Sequence, residues 1–275
     1  MPELPEVETI KRTLKQLVVN KTIADVKVYW GKIIKEPDDV ERFKQEIVGQ
    51  TIREMDRRGK FLLFYLDDYV LVSHLRMEGK YSVHEQSEES GKHTHVIFTF
   101  TDGKALHYND VRKFGTMHLY QKGEEMLHGP LNKLGPEPFD ASFTVKYFKE
   151  KLKKTQRVIK AVLLDQSIVT GLGNIYVDET LFKAGIHPLR VANTLTDAEI
   201  AAIKKAAVMT LSEAVELGGT TIRSYVNSQG EMGMFQQELF VYGQDGKGCR
   251  TCGQEIIKLK VVGRGTHICA SCQEL

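Results

Sequence analysis

Hydrophobic and polar positions along the chain follow two different periods, and the switch falls near the middle of the sequence. The opening stretch carries Val7, Ile10, Leu14 and Leu17 at the spacing of one helical face. Pro5 suits the first turn of that helix, and Glu6 and Glu8 lie near its positive end. From there to about residue 121 the pattern is that of β-strands. Residues 22–30, 60–66, 69–75 and 94–100 are rich in branched and aromatic side chains, with Asp67-Asp68 and Asp102-Gly103 as hairpin turns. Several short strands in succession predict a sandwich or barrel.

The stretch at 132–139, Asn-Lys-Leu-Gly-Pro-Glu-Pro-Phe, is stiff and punctuated like a linker, and beyond it the apolar period moves towards 3.6. Helical signals begin near Ser142. The clearest is Thr196-Asp-Ala-Glu199, a capping box that leads into Ile200, Ile203, Ala207, Leu211 and Val215 before Gly218-Gly219. Residues 230–233 read as a mobile glycine-bearing loop, and the tail from Tyr242 onward as a small cysteine module. The predicted domains are therefore 1–135, 136–241 and 242–275.

Composition changes this picture little. A net charge of +2 is too small to indicate a nucleic-acid partner, so any such case rests on where the cations sit. The acidic, prolyl-rich start is unlike a signal peptide, and no segment approaches the length of apolar chain that spans a bilayer, which predicts a cytoplasmic protein with no membrane partner. In that compartment thiols stay reduced, so the four cysteines favour a metal over disulfides.

Cys249-x2-Cys252 and Cys269-x2-Cys272, sixteen residues apart, form two knuckles able to give four thiolates to one tetrahedral zinc. Four thiolates leave no open position, so the expected role is structural. Between the knuckles, residues 256–262 and 267–269 flank Gly263-Arg264-Gly265, which reads as a β-hairpin with an arginine at its tip, delivered to solvent or to a phosphate or base.

The start of the chain offers a nucleophile without a catalytic side chain. With Met1 removed, Pro2 is a secondary amine able to attack a sugar carbon and form an iminium. Cations such as Lys60 would lower its pKa, and Glu3 could move protons. The plainer reading is that Pro2 and Glu3 only begin a helix. Arg57-Arg58-Gly59-Lys60 is a possible phosphate cradle or a solvated turn. His74-Leu-Arg-Met77-Glu-Gly79 and Asn109-Asp-Val-Arg112-Lys-Phe114-Gly115 each end a strand with a cation and a large apolar residue, suited to entering a base stack or to ordinary packing. In Gly171-Leu-Gly173-Asn174 the asparagine can cap the following helix, whose free N–H groups could face a phosphate.

Taken together, PELPEVE, RRGKFL, SHLRMEGK, NDVRKFG, LGPEP, LLDQ, GLGNIYVDE and the cysteine module with GRGTH closely resemble the bacterial formamidopyrimidine-DNA glycosylases, also called 8-oxoguanine DNA glycosylases. The resemblance spans essentially the whole chain. It departs at Cys269-Ala-Ser-Cys272, where relatives often have proline after the third cysteine, but both ligands remain. It implies an α+β fold with an N-terminal β-sandwich, a helix-two-turns-helix domain and a β-hairpin zinc finger, working as a monomer on damaged duplex DNA bound across the cleft between domains. It also implies a bifunctional glycosylase and abasic-site lyase for oxidised purines, with Pro2 as nucleophile at C1′ and Glu3 as the proton-transfer residue. Lys60, Asn174 and Arg264 would hold phosphates beside the lesion, with further contacts from His74, Tyr242 and Lys258. Met77, Arg112 and Phe114 match residues inserted where the base was, and Glu6 matches a functional carboxylate. Zinc on the four cysteines is the one implied cofactor.

The inserted set has a physical logic. Extruding a base costs a few kcal/mol, so the vacated space must be refilled. Arg112 has only donors, and the orphaned cytosine opposite a guanine lesion presents acceptors. Base discrimination is expected in residues 218–237, with Glu78 and Arg223 as candidates. Two other readings stay open here: an endonuclease VIII-like glycosylase for oxidised pyrimidines, and a non-catalytic zinc-ribbon protein that binds damaged DNA.

Overall fold

The computed structural model describes residues 1–220 and 233–275. By chain contacts it divides into two units. The first holds residues 1–132 with 220 and 233, the second 133–219 and 234–275.

In the first unit, helix α1 (Leu4–Val18) precedes β1 (Ile23–Val28), β2 (Ile34–Glu36), α2 (Val40–Ile47), β3 (Glu54–Arg58), β4 (Phe61–Tyr65), β5 (Tyr69–His74), β6 (Lys80–Glu85), β7 (Thr94–Phe100), β8 (Lys104–Asn109) and β9 (Thr116–Gln121). The strands form a four-stranded sheet, β1-β7-β8-β6, and a five-stranded sheet, β2-β9-β5-β4-β3. Val26, Phe98 and Leu106 from the first sheet and Phe64, Leu71 and Leu119 from the second join one buried cluster, so the two sheets make a sandwich. Val7, Ile10 and Leu14 of α1 enter the same cluster, as the opening period predicted. The β pattern predicted up to about residue 121 is interrupted by a single 3-10 turn at Gly31–Ile33 and by α2. Asp39 caps it through bonds to the Glu41 and Arg42 amides, and Phe43 and Ile47 bury one face.

The second unit contains α3 (Val145–Lys153), α4 (Ile159–Leu163), α5 (Asn174–Ala184), α6 (Asp197–Glu216) and the hairpin β10 (Ile257–Val261) and β11 (Arg264–Ile268). The capping box read from Thr196 and Glu199 is present at the start of α6. Within this unit α5 packs on α6 and on β11. Among the described residues no helix is long and apolar enough to cross a membrane.

Helix α1 is fixed to the β3–β4 hairpin by charge as well as by apolar contact. Glu8 accepts from Arg57 Nε at 3.0 Å and pairs with Lys11 at 2.9 Å. Burial opposes its ionisation, yet the two cations prevail and hold the carboxyl at about 2 rather than 4.5. A carboxyl depressed on folding contributes stability that is complete above its unfolded value and is lost as pH falls through the folded one. Glu8→Gln should therefore lower Tm at neutral pH, and the two proteins should converge between about pH 4.5 and 2 in melts across an acid series.

Candidate functional site

The head of α1 is a closed hydrogen-bonded unit. Glu3 is its N-cap, with Pro5 in the first turn, and Glu3 and Glu6 form a capping box in which the Glu3 amide donates to Glu6 Oε2 at 2.8 Å. The other Glu6 oxygen accepts from the Thr220 amide at 2.8 Å and its hydroxyl at 3.1 Å. Pro2, Glu3 and Glu6 are all buried. Pro2 and Glu3 do begin a helix, as the plainer reading had it, and they also set the Pro2 nitrogen beside the residue whose carboxyl caps that helix.

Lys60 occupies the β3–β4 turn with Gly59, whose φ of +56° suits glycine, and is only 5% exposed. Arg57 does not act as a free member of the expected phosphate cradle. It is committed to Glu8 and to the Gly59 carbonyl, at 3.2 Å, so it braces the turn that carries Lys60.

At the end of β5, His74 is buried edge-on against Phe61, and its Nδ1 accepts from the Arg76 amide at 2.8 Å. Burial, with Arg76, Lys60 and His118 nearby, lowers its pKa to about 3. The ring is thus neutral at working pH, with its proton on Nε2, a donor that does not titrate. Met77 is half-buried and Glu78 exposed. Arg112 and Phe114 lie in the exposed β8–β9 loop, the guanidinium 4.8 Å from the centre of the Phe114 ring, and Phe114 is 51% exposed. An aromatic ring held in water by its own loop is available to an outside partner. Arg223 and most of the segment expected to discriminate bases lie outside the described residues.

In the second unit the structure corrects two expectations. Asn174 is not the cap of α5: Gly173 is the N-cap, and Asn174, the first helical residue, donates through Nδ2 to the Gly265 carbonyl at 2.9 Å. A residue already in helical conformation cannot fold its side chain back to cap, so this one reaches the hairpin instead, with a second amide hydrogen left to donate. Nor is Arg264 the tip of the hairpin. Val261 pairs with Arg264, and the two-residue turn is Val262-Gly263, both at positive φ. Arg264 is therefore an exposed strand residue beside the turn, on the strand opposite Lys258, which faces His267.

Four residues that the sequence reading did not single out organise these positions. Lys160, fully buried, donates to Asp178 at 2.6 Å and to the Thr266 hydroxyl at 2.7 Å, while Asp178 accepts from the His267 amide at 2.9 Å. This ion pair fastens β11 to α5. Glu179 accepts from the amides of Phe240, Val241 and Tyr242 at 3.0, 3.0 and 2.9 Å. Burial raises its pKa while those three donors pull it down. Tyr242 in turn packs its ring edge-on against His267, 4.9 Å away. The signal was available: a lone lysine and adjacent acids inside apolar helical runs require buried partners. The fourth residue is Asp110, inside the NDVRKFG segment.

The Sγ atoms of Cys249, Cys252, Cys269 and Cys272 all lie within 4.8 Å of one another, with Cys249 to Cys272 at 3.9 Å and Cys252 to Cys269 at 3.4 Å. Zinc–sulfur bonds of about 2.3 Å in a tetrahedron require sulfur separations of roughly 3.8 Å. The four thiolates fit one structural zinc, which would tie the hairpin's base to the Gly248–Gly253 knuckle. Chelation should disorder the module around β10 and β11, while the sandwich of the first unit stays folded. Amide spectra of verified zinc-free protein test this, and an unchanged spectrum for the β10–β11 hairpin would count against a structural role for the site.

Comparison with known proteins adds three findings. Residues 1–117 match the formamidopyrimidine-DNA glycosylase N-terminal domain, residues 134–226 the formamidopyrimidine-DNA glycosylase H2TH domain, and residues 246–275 the zinc finger found in FPG and IleRS. Formamidopyrimidine-DNA glycosylase of Oceanobacillus iheyensis is 65% identical over 273 residues, 99% of this chain and 98% of that protein, and the enzyme of Halalkalibacterium halodurans is 61% identical over the full length of both. The Lactococcus lactis Fpg, solved in complex with DNA containing an abasic site, superposes with a TM-score of 0.94 at 43% identity and full coverage of both chains. The chain therefore belongs to the formamidopyrimidine-DNA glycosylase family.

Proposed function

We propose that this chain removes oxidised purines, 8-oxoguanine opposite cytosine and formamidopyrimidines among them, from duplex DNA and then cleaves the strand as an abasic-site lyase. Lactococcus lactis Fpg has been solved with DNA carrying N7-benzyl-Fapy-dG, in which the modified base is present, and with DNA carrying an abasic site, in which the base is gone. The observation that carries the mechanism is the head of α1, where Pro2 and Glu3 are buried together and Glu6 holds the Glu3 backbone.

Once Met1 is removed, the Pro2 nitrogen has a lone pair. It attacks C1′, the glycosidic bond breaks, and the base leaves with the bonding electrons and a proton. The nitrogen gives up its own proton, and as the C1′–O4′ bond breaks, O4′ takes that bond's electrons and a proton to become a hydroxyl while the nitrogen's lone pair forms the iminium to C1′ of the opened sugar. Glu3 relays these protons. The iminium acidifies the proton on C2′, whose loss expels the 3′ phosphate, and a second elimination expels the 5′ phosphate. Lys60 and Arg264 serve the phosphates on either side of the sugar, joined by Asn174, His74, Tyr242 and Lys258. His74 suits this as a neutral donor, since it neither titrates nor adds charge near the amine. A DNA substrate puts the work at the chromosome, the nucleoid of a bacterial cell.

Borohydride added during turnover should trap DNA covalently on Pro2 in protein whose N-terminus is verified by mass. Protein that retains Met1 should give no adduct, and Glu3→Gln should slow base release by about 10²–10⁴-fold. Full cleavage by protein with a blocked N-terminus would refute the mechanism, and faster cutting of oxidised pyrimidines than of 8-oxoguanine opposite cytosine would refute the substrate class.

A further inference from the structure

The β8–β9 loop presents Arg112 and Phe114 to solvent, and both are too exposed for burial to fix their place. Something else must hold them. Beneath the loop lies Asp110, 1% exposed, and both its carboxylate oxygens serve this segment. Oδ1 accepts from the Arg112 amide at 3.0 Å, and Oδ2 accepts from the amides of Phe114 and Gly115 at 2.9 and 2.8 Å. The Tyr108 hydroxyl points at the same Oδ2 from 3.5 Å. The backbone of Asp110 is tied in as well: its amide donates to the His93 carbonyl at 2.9 Å, and its carbonyl accepts from His95 Nε2 at 2.7 Å.

Three amides converging on one buried group need an acceptor with no hydrogens of its own, and an ionised carboxylate is the side chain that supplies four lone-pair positions and no donor. The loop closes around it with Lys113 in the left-handed region, at φ +58°. It leaves no room at Gly115, where a Cβ would run into the Tyr108 hydroxyl and lie 3.3 Å from Asp110 Oδ2. With the backbone pinned at 112, 114 and 115, Arg112 and Phe114 emerge on one side as a stacked pair. Lys113 leaves in another direction, over the ring of Trp30 at 4.4 Å.

We propose that Asp110 is the positioning residue of this loop, and that its carboxylate pre-forms the Arg112–Phe114 wedge before DNA arrives. The proposal rests on the reading that these two residues refill the space left by an extruded base. A wedge already ordered avoids the entropy of fixing the loop at the moment of flipping, so its benefit appears only on substrates that must be opened. An abasic site in single-stranded DNA needs neither flipping nor refilling.

Asp110→Asn replaces one acceptor oxygen by a donor that faces amide hydrogens. Excision of 8-oxoguanine from duplex DNA opposite cytosine should fall by about 10–100-fold, the loss of a charged hydrogen-bond set. The preference for cytosine over adenine opposite the lesion should narrow, while cleavage of single-stranded abasic DNA should stay within about two-fold of the parent, as expected where binding and chemistry are intact. Trp30 is the sole tryptophan and lies under Lys113, so its emission and its accessibility to acrylamide report the loop directly in free protein. Both should change in Asp110→Asn. Gly115→Ala, whose Cβ would displace the Tyr108 hydroxyl that points at the same carboxylate, should reproduce the selective loss. Arg112→Ala and Phe114→Ala serve as references. If they cleave damaged duplex normally, the reading of the wedge fails. If they are impaired while Asp110→Asn is fully active with unchanged Trp30 emission, the positioning proposal fails. Equal loss on single-stranded abasic DNA would make Asp110 a general scaffold residue and overturn it too.

Discussion

The structure depends on a simple electrostatic constraint: a carboxylate removed from water must be surrounded by donors, and in this chain the donors are mostly backbone amides of segments that carry chemistry. Glu6 collects the amides of Glu3 and Thr220. Asp110 collects those of Arg112, Phe114 and Gly115. Glu179 collects three in a row, from Phe240 to Tyr242. Each such bond is strong because its acceptor is charged and water is excluded. Removing the acceptor would leave several amides unsatisfied at once. Segments without regular secondary structure are thereby held about as firmly as strands.

This arrangement separates two tasks that conflict. Arg112, Phe114 and Arg264 are exposed and gain little from their own burial. Their backbones are fixed from below instead. Arg112 and Phe114 stand on Asp110, and Lys60, itself buried, stands on a turn braced by the Glu8–Arg57 pair. Arg264 stands on a strand locked to α5 by Lys160 and Asp178, with the four-thiolate site closing the other end of the hairpin. Buried ion pairs are poor sources of net stability, and the Lys160–Asp178 pair is better understood as fixing one geometry of β11 on α5.

Much of this was legible because local rules and tertiary structure agree. The opening helix, the strand at 94–100 and the Thr196 capping box follow from period and capping chemistry, and their bounds differ little from expectation. Cysteine spacing named its own site. At two site residues the reading was off by one position. Asn174 sits one position inside its helix rather than at the cap, and Arg264 one position past the turn rather than on it, and pattern alone does not fix an element's end to that precision. Helix α2 was hidden by the β-rich stretch on either side, although Asp39, Phe43 and Ile47 carry its signature.

By itself the sequence determined the kinds of element, the zinc module, the family, and a set of candidates for an amine-led excision, since those follow from residue type, spacing and order along the chain. Only the folded chain decided which charged residues are tied to structural partners. Arg57, which the sequence left as either phosphate cradle or solvated turn, is committed to Glu8, and Asp110, Lys160 and Glu179, to which the sequence assigned no role, hold the loops and the hairpin. The reason is that a charged group's role depends on the donors and acceptors within about 3 Å of it and on its access to water, and both are set by contacts between residues far apart in sequence.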